Sequence, residues 1–312
     1  MTMPVLEVEG LSISFTQYDK GVRQRSLPVI RDLDLTIRPG QVMAVVGSSG
    51  SGKSLLAHGI LGILPYNARQ SGSIRYRGEP LTPRRAEELR GREIVLIPQS
   101  VGYLDPLMQV GPQIRKGRRD PASRARSREI LGRYHLGSEV EALYPFELSG
   151  GMTRRVLIST AVVEAPSLVI ADEPTPGLDP RSLHHIMDHF REIADSGAGL
   201  LLITHDLEAA LAIADRVAVF YAGETIEEAP ASDFAAEETL RHPYTRALWR
   251  AMPQHGFQPI PGAQPYPGAA PRGCPFLPRC PRRTAECGSA VPYRPVEGGF
   301  VRCLHPERGA EA

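Results

Sequence analysis

Val42-Met43-Ala44-Val45-Val46 runs directly into Gly47-Ser48-Ser49-Gly50-Ser51-Gly52-Lys53-Ser54, and an apolar stretch at 55–64 follows. The first five residues suit a strand buried on both faces. The last stretch has helical character. Between them stands G-x-x-x-x-G-K-S in the setting it requires, a strand before and a helix after. Its glycines let successive backbone N–H groups turn toward phosphate oxygens, and the helix N-terminus adds its positive end. Lys53 can reach the β- and γ-phosphates of a nucleotide. Ser54 can place its hydroxyl on Mg²⁺.

Two further strand-like runs end in polar clusters. Leu168-Val169-Ile170-Ala171 leads into Asp172-Glu173, and Leu200-Leu201-Leu202-Ile203 leads into Thr204-His205-Asp206. Adjacent acids at the end of a buried strand are costly unless they have a task. Asp172 fits the acid associated with Mg²⁺. Glu173 fits a general base for water. His205 is a candidate γ-phosphate contact. In an open parallel sheet, ligands sit at the carboxyl ends of the strands, so all three clusters should meet at one nucleotide.

The N-terminal part alternates. Leu6 and Val8 are apolar against Glu7 and Glu9; beyond Gly10 the phase shifts to Leu11, Ile13 and Phe15. This predicts one or two half-buried strands with a bulge or break at Gly10. Leu33, Leu35 and Ile37 alternate again up to the turn signal Pro39-Gly40.

The chain has 312 residues and a formal net charge of +1. That balance argues against a dedicated nucleic-acid binder. No run approaches the roughly 18 apolar residues of a membrane span. Residues 1–10 lack the pattern of a secretory signal, so a soluble cytosolic chain with reduced thiols is expected. Composition divides the chain. Twelve of its 29 prolines and all four cysteines lie from Pro253 onward.

Leu148-Ser149-Gly150-Gly151-Met152 precedes another helical stretch, and Ser-Gly-Gly at a helix start is a second phosphate-binding surface. With the order of the other motifs, the sequence over about residues 4–250 resembles the nucleotide-binding subunits of ABC transporters. The resemblance implies an α/β fold: a P-loop NTPase (RecA-like) core, an N-terminal antiparallel β subdomain and an inserted α-helical subdomain at about 100–162. It makes residues 1–250 the cassette and 251–312 a Pro/Cys-rich extension.

By that resemblance Gly47–Ser54 is the Walker A loop and Gln99 the Q-loop glutamine, close to Mg²⁺ or the attacking water. Asp172 and Glu173 are the Walker B acid and catalytic glutamate. Asp179 belongs to the D-loop, and His205 is the switch histidine. Ser149, Gly150 and Gly151 form the signature, which a second subunit contributes to each ATP. Phe15 is the expected adenine-stacking aromatic, with Tyr18 as its competitor and a plain core role for Phe15 as the other reading. The sequence departs from the family at Arg154, where a glutamine is usual, and at Pro176-Gly177 in the D-loop.

Residues 100–147 carry a basic run (Arg115, Lys116, Arg118, Arg119, Arg124, Arg126, Arg128, Arg133), read as a solvated helical face rather than a polyanion site. Tyr103–Met108 follows Gln99 and is expected to line the groove for a permease. His242-Pro243-Tyr244-Thr245-Arg246-Ala247-Leu248 resembles a segment of the dipeptide, oligopeptide and nickel branch. The Pro-rich stretch 253–271 should run over the body as extended chain.

Cys274, Cys280, Cys287 and Cys303 follow, spaced x5, x6 and x15. Four cysteines this close suggest one tetrathiolate site, suited to [4Fe–4S] or Zn²⁺. Some members of the branch hold an iron–sulfur cluster at such cysteines, so a cluster is expected, with zinc and unligated thiols as alternatives.

The resemblance thus implies an ATPase subunit on the cytoplasmic side of the inner membrane. It would pair with a second ATPase subunit and two permeases and be served by an extracytoplasmic solute-binding protein. The expected cargo is peptide. Leu61-Gly62-Ile63-Leu64-Pro65 looks more like nickel-type members, which leaves a nickel or metal-chelate importer as the alternative. A non-transport ABC ATPase and an iron–sulfur redox sensor are the readings from other classes.

Overall fold

The structure is a computed structural model and describes residues 2–19, 21–266 and 273–307. Residues 267–271 of the Pro-rich stretch thus lie outside the described residues.

Two sheets organise the chain. The first is antiparallel, in the order β2-β1-β4-β5. It is built from β1 (Leu6–Asp19), β2 (Arg23–Ile37), β4 (Ala68–Tyr76) and β5 (Glu79–Pro80). The alternation around Gly10 is one strand with a bulge. Gly10 sits at φ +58°, and the β1–β2 register shifts between Val8 and Leu11. The Gly10 N–H donates to Asp34 Oδ1 at 2.8 Å, which satisfies the amide that the bulge frees.

The second sheet has the order β11-β12-β10-β9-β3-β8-β7-β6. Its central strands are β3 (Val42–Val46), β6 (Ile94–Ile97), β7 (Leu168–Asp172), β8 (Gly199–Thr204) and β9 (Arg216–Tyr221). These pair in parallel. β3, β7 and β8 are buried at every residue, as continuous apolar runs require when helices or another sheet cover both faces. A fully buried Leu or Ile contributes about 1.5–3 kcal/mol.

Two apolar cores flank this sheet. One joins it to the antiparallel sheet, to α1 (Lys53–Leu61) and, through Leu89, to α2 (Pro83–Leu89), and includes Ile13, Ile30, Val45, Leu56 and Ile203. The other holds α6 (Pro180–Asp195) and α7 (Leu207–Leu211) against its opposite face through Phe190, Ala194, Leu207 and Val219.

Between β6 and β7 the chain forms α3 (Val110–Ile114), α4 (Pro121–Arg133) and α5 (Gly150–Val162). They share a small core of their own, including Leu104, Ile114, Leu131, Val140 and Val156. Local chemistry sets the helix starts. Asp120 caps α4 with Pro121 at its first turn, and Ser149 caps α5. Five residues of the basic run pair with acids. Arg115 and Arg128 bridge to Glu141, Lys116 and Arg118 to Glu164, and Arg133 to Glu192.

The C-terminal part does more than run over the surface. β12 (Gly299–Val301) pairs antiparallel with β10 (Glu224–Pro230), and β11 (Arg294–Val296) pairs with β12, so the main sheet continues into it. Cys274, Phe276, Cys287 and Val291 enter the same core as Phe190 and Val219. The reason is plain in the side chains. A Pro-rich segment builds little core of its own, but its few apolar residues can be buried on an existing one. Residues 256–266 form neither helix nor strand, as their prolines predict.

Candidate active site

The phosphate loop sits where β3 ends and α1 begins. Gly47 has no room for a side chain: a Cβ there would stand 2.2 Å from the Phe220 carbonyl oxygen. Gly50 and Gly52 take φ +77° and +100°, a backbone region that glycine enters without penalty. Lys53 is buried, and its Nζ donates to the Gly47 and Ser48 carbonyls at 2.8 and 3.0 Å. Burial lowers its pKa, opposed by the Glu173 and Asp172 carboxylates.

The β7 end meets this loop. Ser54 Oγ donates to Asp172 Oδ1 at 3.1 Å. Burial raises the Asp172 pKa, the Ser54 hydrogen bond lowers it, and Glu173 raises it further. A hydroxyl and a carboxylate this close are the donor pair that suits Mg²⁺. Glu173 takes φ +47°, held by its N–H on the Ile203 carbonyl at 2.8 Å. Its carboxylate faces the His205 ring, with Nδ1 at 2.8 and 2.9 Å from the two oxygens.

One open cavity of about 330 Å³ brings these parts together. Val29, Ser49, Gly50, Gly52, Lys53, Ser54, Leu55, Gln99 and Glu173 line it. The structure therefore gathers the Walker A residues, Gln99 and Glu173 at one place, with Asp172 and His205 in contact with them.

Other expected site residues lie elsewhere. Ser149 and Gly150 are exposed at the start of α5, Gly151 is partly exposed, and none of the three lines the cavity. Asp179 caps α6 by accepting from the Arg181 and Ser182 N–H groups at 3.1 Å and from Ser182 Oγ at 2.6 Å. Phe15 pairs with Leu27 and Ala68 in the antiparallel sheet and packs, partly buried, on its core. It does not line the cavity, because the inward phase of β1 turns its ring to the core. Val29 of β2 holds a place on the rim instead.

Two residues with no role in the sequence reading prove structural to the site. Arg154, the departure from the signature pattern, is buried and donates to the Pro98 carbonyl at 2.9 Å and the Gln99 carbonyl at 2.5 Å. It thereby ties α5 to the segment that carries Gln99. Gln264 accepts a hydrogen bond from Ser48 Oγ. Only the unusual residue type at 154 hinted at the first. Nothing local marks the second.

The four cysteines are free thiols, and all four line one narrow pocket with His242 and His305. Burial pushes Cys274 up to about 12 and Cys303 up to about 11, and raises Cys280. Among the described residues, no group of three or more His, Cys, Asp or Glu is arranged to hold a metal ion. The donor types suit a cluster or zinc, but their arrangement here does not. No helix among the described residues is long and apolar enough to cross a membrane.

A parallel sheet with a phosphate loop, a paired acid and a glutamate–histidine contact at its strand ends defines an ATP-binding cassette. Residues 30–176 match the ABC transporter family, and residues 226–287 match the oligopeptide/dipeptide transporter C-terminal region. A putative peptide import ATP-binding protein of Brucella abortus is 36% identical over 322 residues, spanning 97% of this chain and 95% of its own. The oligopeptide transport ATP-binding protein OppD of Salmonella typhimurium is 35% identical over 321 residues, spanning 97% of this chain and 94% of its own. Among solved structures, cbiO1 from Clostridium perfringens, part of an ABC transporter complex, is 26% identical with a TM-score of 0.60. It covers 76% of this chain and 92% of its own. A dimeric ATP-binding cassette bound to ADP and Pi shares the fold, with a TM-score of 0.63 at 22% identity over 72% of this chain and 98% of its own. The chain belongs to the ABC transporter ATPase subunits, in the branch that carries the oligopeptide/dipeptide C-terminal region.

Proposed function

We propose that this chain binds and hydrolyses ATP to power uptake of di- or oligopeptides through a membrane permease. The observation that carries this is the meeting of Lys53, the Ser54–Asp172 pair, Gln99 and Glu173 at one cavity. Peptide is preferred to a nickel chelate because the similar proteins are named for peptide import and the C-terminal region matches that branch.

In this reading the Gly47–Ser54 backbone amides and Lys53 bind the β- and γ-phosphates. Ser54 and Asp172 would hold Mg²⁺, with Gln99 beside them; the ion supplies charge neutralisation on the phosphate oxygens. Glu173 takes the proton of the attacking water at its carboxylate, and His205 orients that carboxylate and meets the γ-phosphate. The exposed Ser149-Gly150-Gly151 surface closes on the ATP of a second cassette, and Asp179 lies at that junction. Tyr103, Leu107 and Met108 are exposed beside Gln99 and offer an apolar seat for the permease. Two permease subunits and an extracytoplasmic binding protein complete the importer, which places the chain on the cytoplasmic face of the membrane.

We divide the chain into a cassette (1–250, with helices inserted at about 100–162) and a C-terminal extension (251–312). For the cysteines, the four thiols share one pocket but are not arranged around a metal, so a tetrathiolate site for [4Fe–4S] or Zn²⁺ would require them to rearrange on binding. Iron, sulfide and zinc analysis of anaerobically purified protein tests this. Substoichiometric amounts of all three would leave buried protonated thiols as the correct description. The function itself is tested by ATP hydrolysis with Glu173→Gln. Turnover at the parental rate would remove Glu173 from the role of general base.

A further inference from the structure

The C-terminal extension reaches back to the phosphate loop. Ser48 Oγ donates to Gln264 Oε1, across 216 positions of sequence. The Tyr244 hydroxyl also lies next to Ser48. Tyr244 is nearly fully buried and lies in a ring cluster. Its centroid is 4.4 Å from that of Tyr221 and 5.3 Å from that of Phe276, and the Tyr221 and Phe276 rings meet at 5.5 Å. Phe276 sits two positions after Cys274, so the cluster spans the cassette and the extension.

Arg279 fixes the other contact. Its guanidinium donates to Tyr221 Oη at 3.1 Å, to the Ile260 carbonyl at 3.0 Å and to the Pro261 carbonyl at 2.7 Å. Those carbonyls lie three and four residues before Gln264, so Arg279 sets where the extended chain crosses Ser48.

Ser48 is the second residue of the loop whose backbone amides face the phosphate site. A loop already held in that geometry loses less conformational freedom when nucleotide binds. We propose that Tyr244 and Gln264 are positioning residues: through Ser48 they hold the phosphate loop in its ATP-binding geometry, and the extension thereby sets ATP affinity. Neither touches a reacting atom. The inference rests on the ATPase reading above and deepens it.

The test is equilibrium binding of a fluorescent ATP analogue with Mg²⁺ to the full chain. The variants are Tyr244→Phe, Gln264→Ala and Ser48→Ala, with Ser48→Ala combined with each of the other two. Tyr244→Phe keeps the ring cluster and removes only the hydroxyl. Each single change should weaken binding about 2–10-fold, the effect of one or two net hydrogen bonds. The fluorescence at saturation and the thermal midpoint should stay parental. The Gln264→Ala double should bind no more weakly than Ser48→Ala alone, because both act through the Ser48 hydroxyl; the Tyr244→Phe double loses at most its contact with the Ser48 backbone in addition. Parental affinity in both Tyr244→Phe and Gln264→Ala would overturn the proposal. So would losses that simply add in the Gln264→Ala double, or that track a fall in thermal midpoint. A parent that does not bind ATP would instead overturn the ATPase reading itself, and this inference with it.

Discussion

His205 Nδ1 lies 2.8 Å from one oxygen of the Glu173 carboxylate and 2.9 Å from the other. The carboxylate is buried and the ring is mostly exposed. Glu173 accepts this pairing from a left-handed backbone, which costs a non-glycine residue on the order of 1–3 kcal/mol. A carboxylate held at that cost at the rim of the phosphate cavity is placed for water activation. Glu173→Gln keeps the shape and removes the base. It should retain ATP binding and lose turnover by about 10²–10⁴-fold. His205→Ala frees the carboxylate without removing it, so kcat should fall less than in Glu173→Gln. Single-turnover hydrolysis and nucleotide binding, measured side by side, check both.

Arg154 yields a stability prediction. Its two donors span the Pro98 and Gln99 carbonyls from a buried position. Arg154→Met keeps the apolar stem and leaves those carbonyls without their donors. The cost should be about 1–3 kcal/mol. Arg154→Lys should not restore it, because one ammonium lacks the planar fork that reaches two carbonyls at once. Thermal unfolding of the three proteins decides the point.

Two buried imidazoles make stability depend on pH. Burial lowers His189 to about 4 and His242 to about 3. In the unfolded chain both titrate near 6.5. As pH falls below that value the unfolded state binds protons that the folded state refuses, so stability is lost from about pH 6.5 down toward pH 4. Glu224 and Glu227 act in the other direction, since burial raises their carboxyls and their protonation favours the folded form. His242 also caps α8 (Pro243–Arg250), its Nδ1 accepting from the Tyr244 N–H at 3.0 Å. His242→Asn keeps a cap acceptor and removes the titration. Denaturant midpoints from pH 7.5 to 4.5 should fall less steeply in His242→Asn than in the parent.

What could be read in the sequence was local or periodic. The strand, loop and helix around Gly47–Ser54 are contiguous, so one stretch reveals their arrangement. The clusters at Asp172 and His205 follow from buried runs that end in polar residues. The Gly10 bulge showed as a break in alternation. What could not be read depends on contacts between distant residues. Glu227 pairs with Val301 in the main sheet, and no pattern near Val301 announces a strand. Ser48 meets Gln264 across most of the chain. Phe15 could be read as a stacking ring or as core, because an aromatic at the right spacing says nothing of which sheet face it takes. Arg154 was visible as an oddity, but its carbonyl partners belong to a different element.

The tightest steric limit in the site concerns Gly47. A Cβ there would stand 2.2 Å from the Phe220 carbonyl oxygen, a backbone atom of β9 that cannot swing aside like a side chain. Gly47→Ala must therefore push the loop off the end of β9 or distort the strand. Either movement misdirects the amides that face phosphate and shifts Lys53, whose Nζ is anchored on the Gly47 carbonyl. ATP binding should be lost, with a fall in thermal midpoint. Gly132 is the control. It lies in α4 without a positive φ, and an alanine methyl there would meet nothing within 4 Å. Gly132→Ala should stabilise the chain by up to about 1 kcal/mol and leave ATP binding unchanged. Nucleotide binding and thermal unfolding of the two variants separate a steric requirement at Gly47 from the general effect of replacing a glycine.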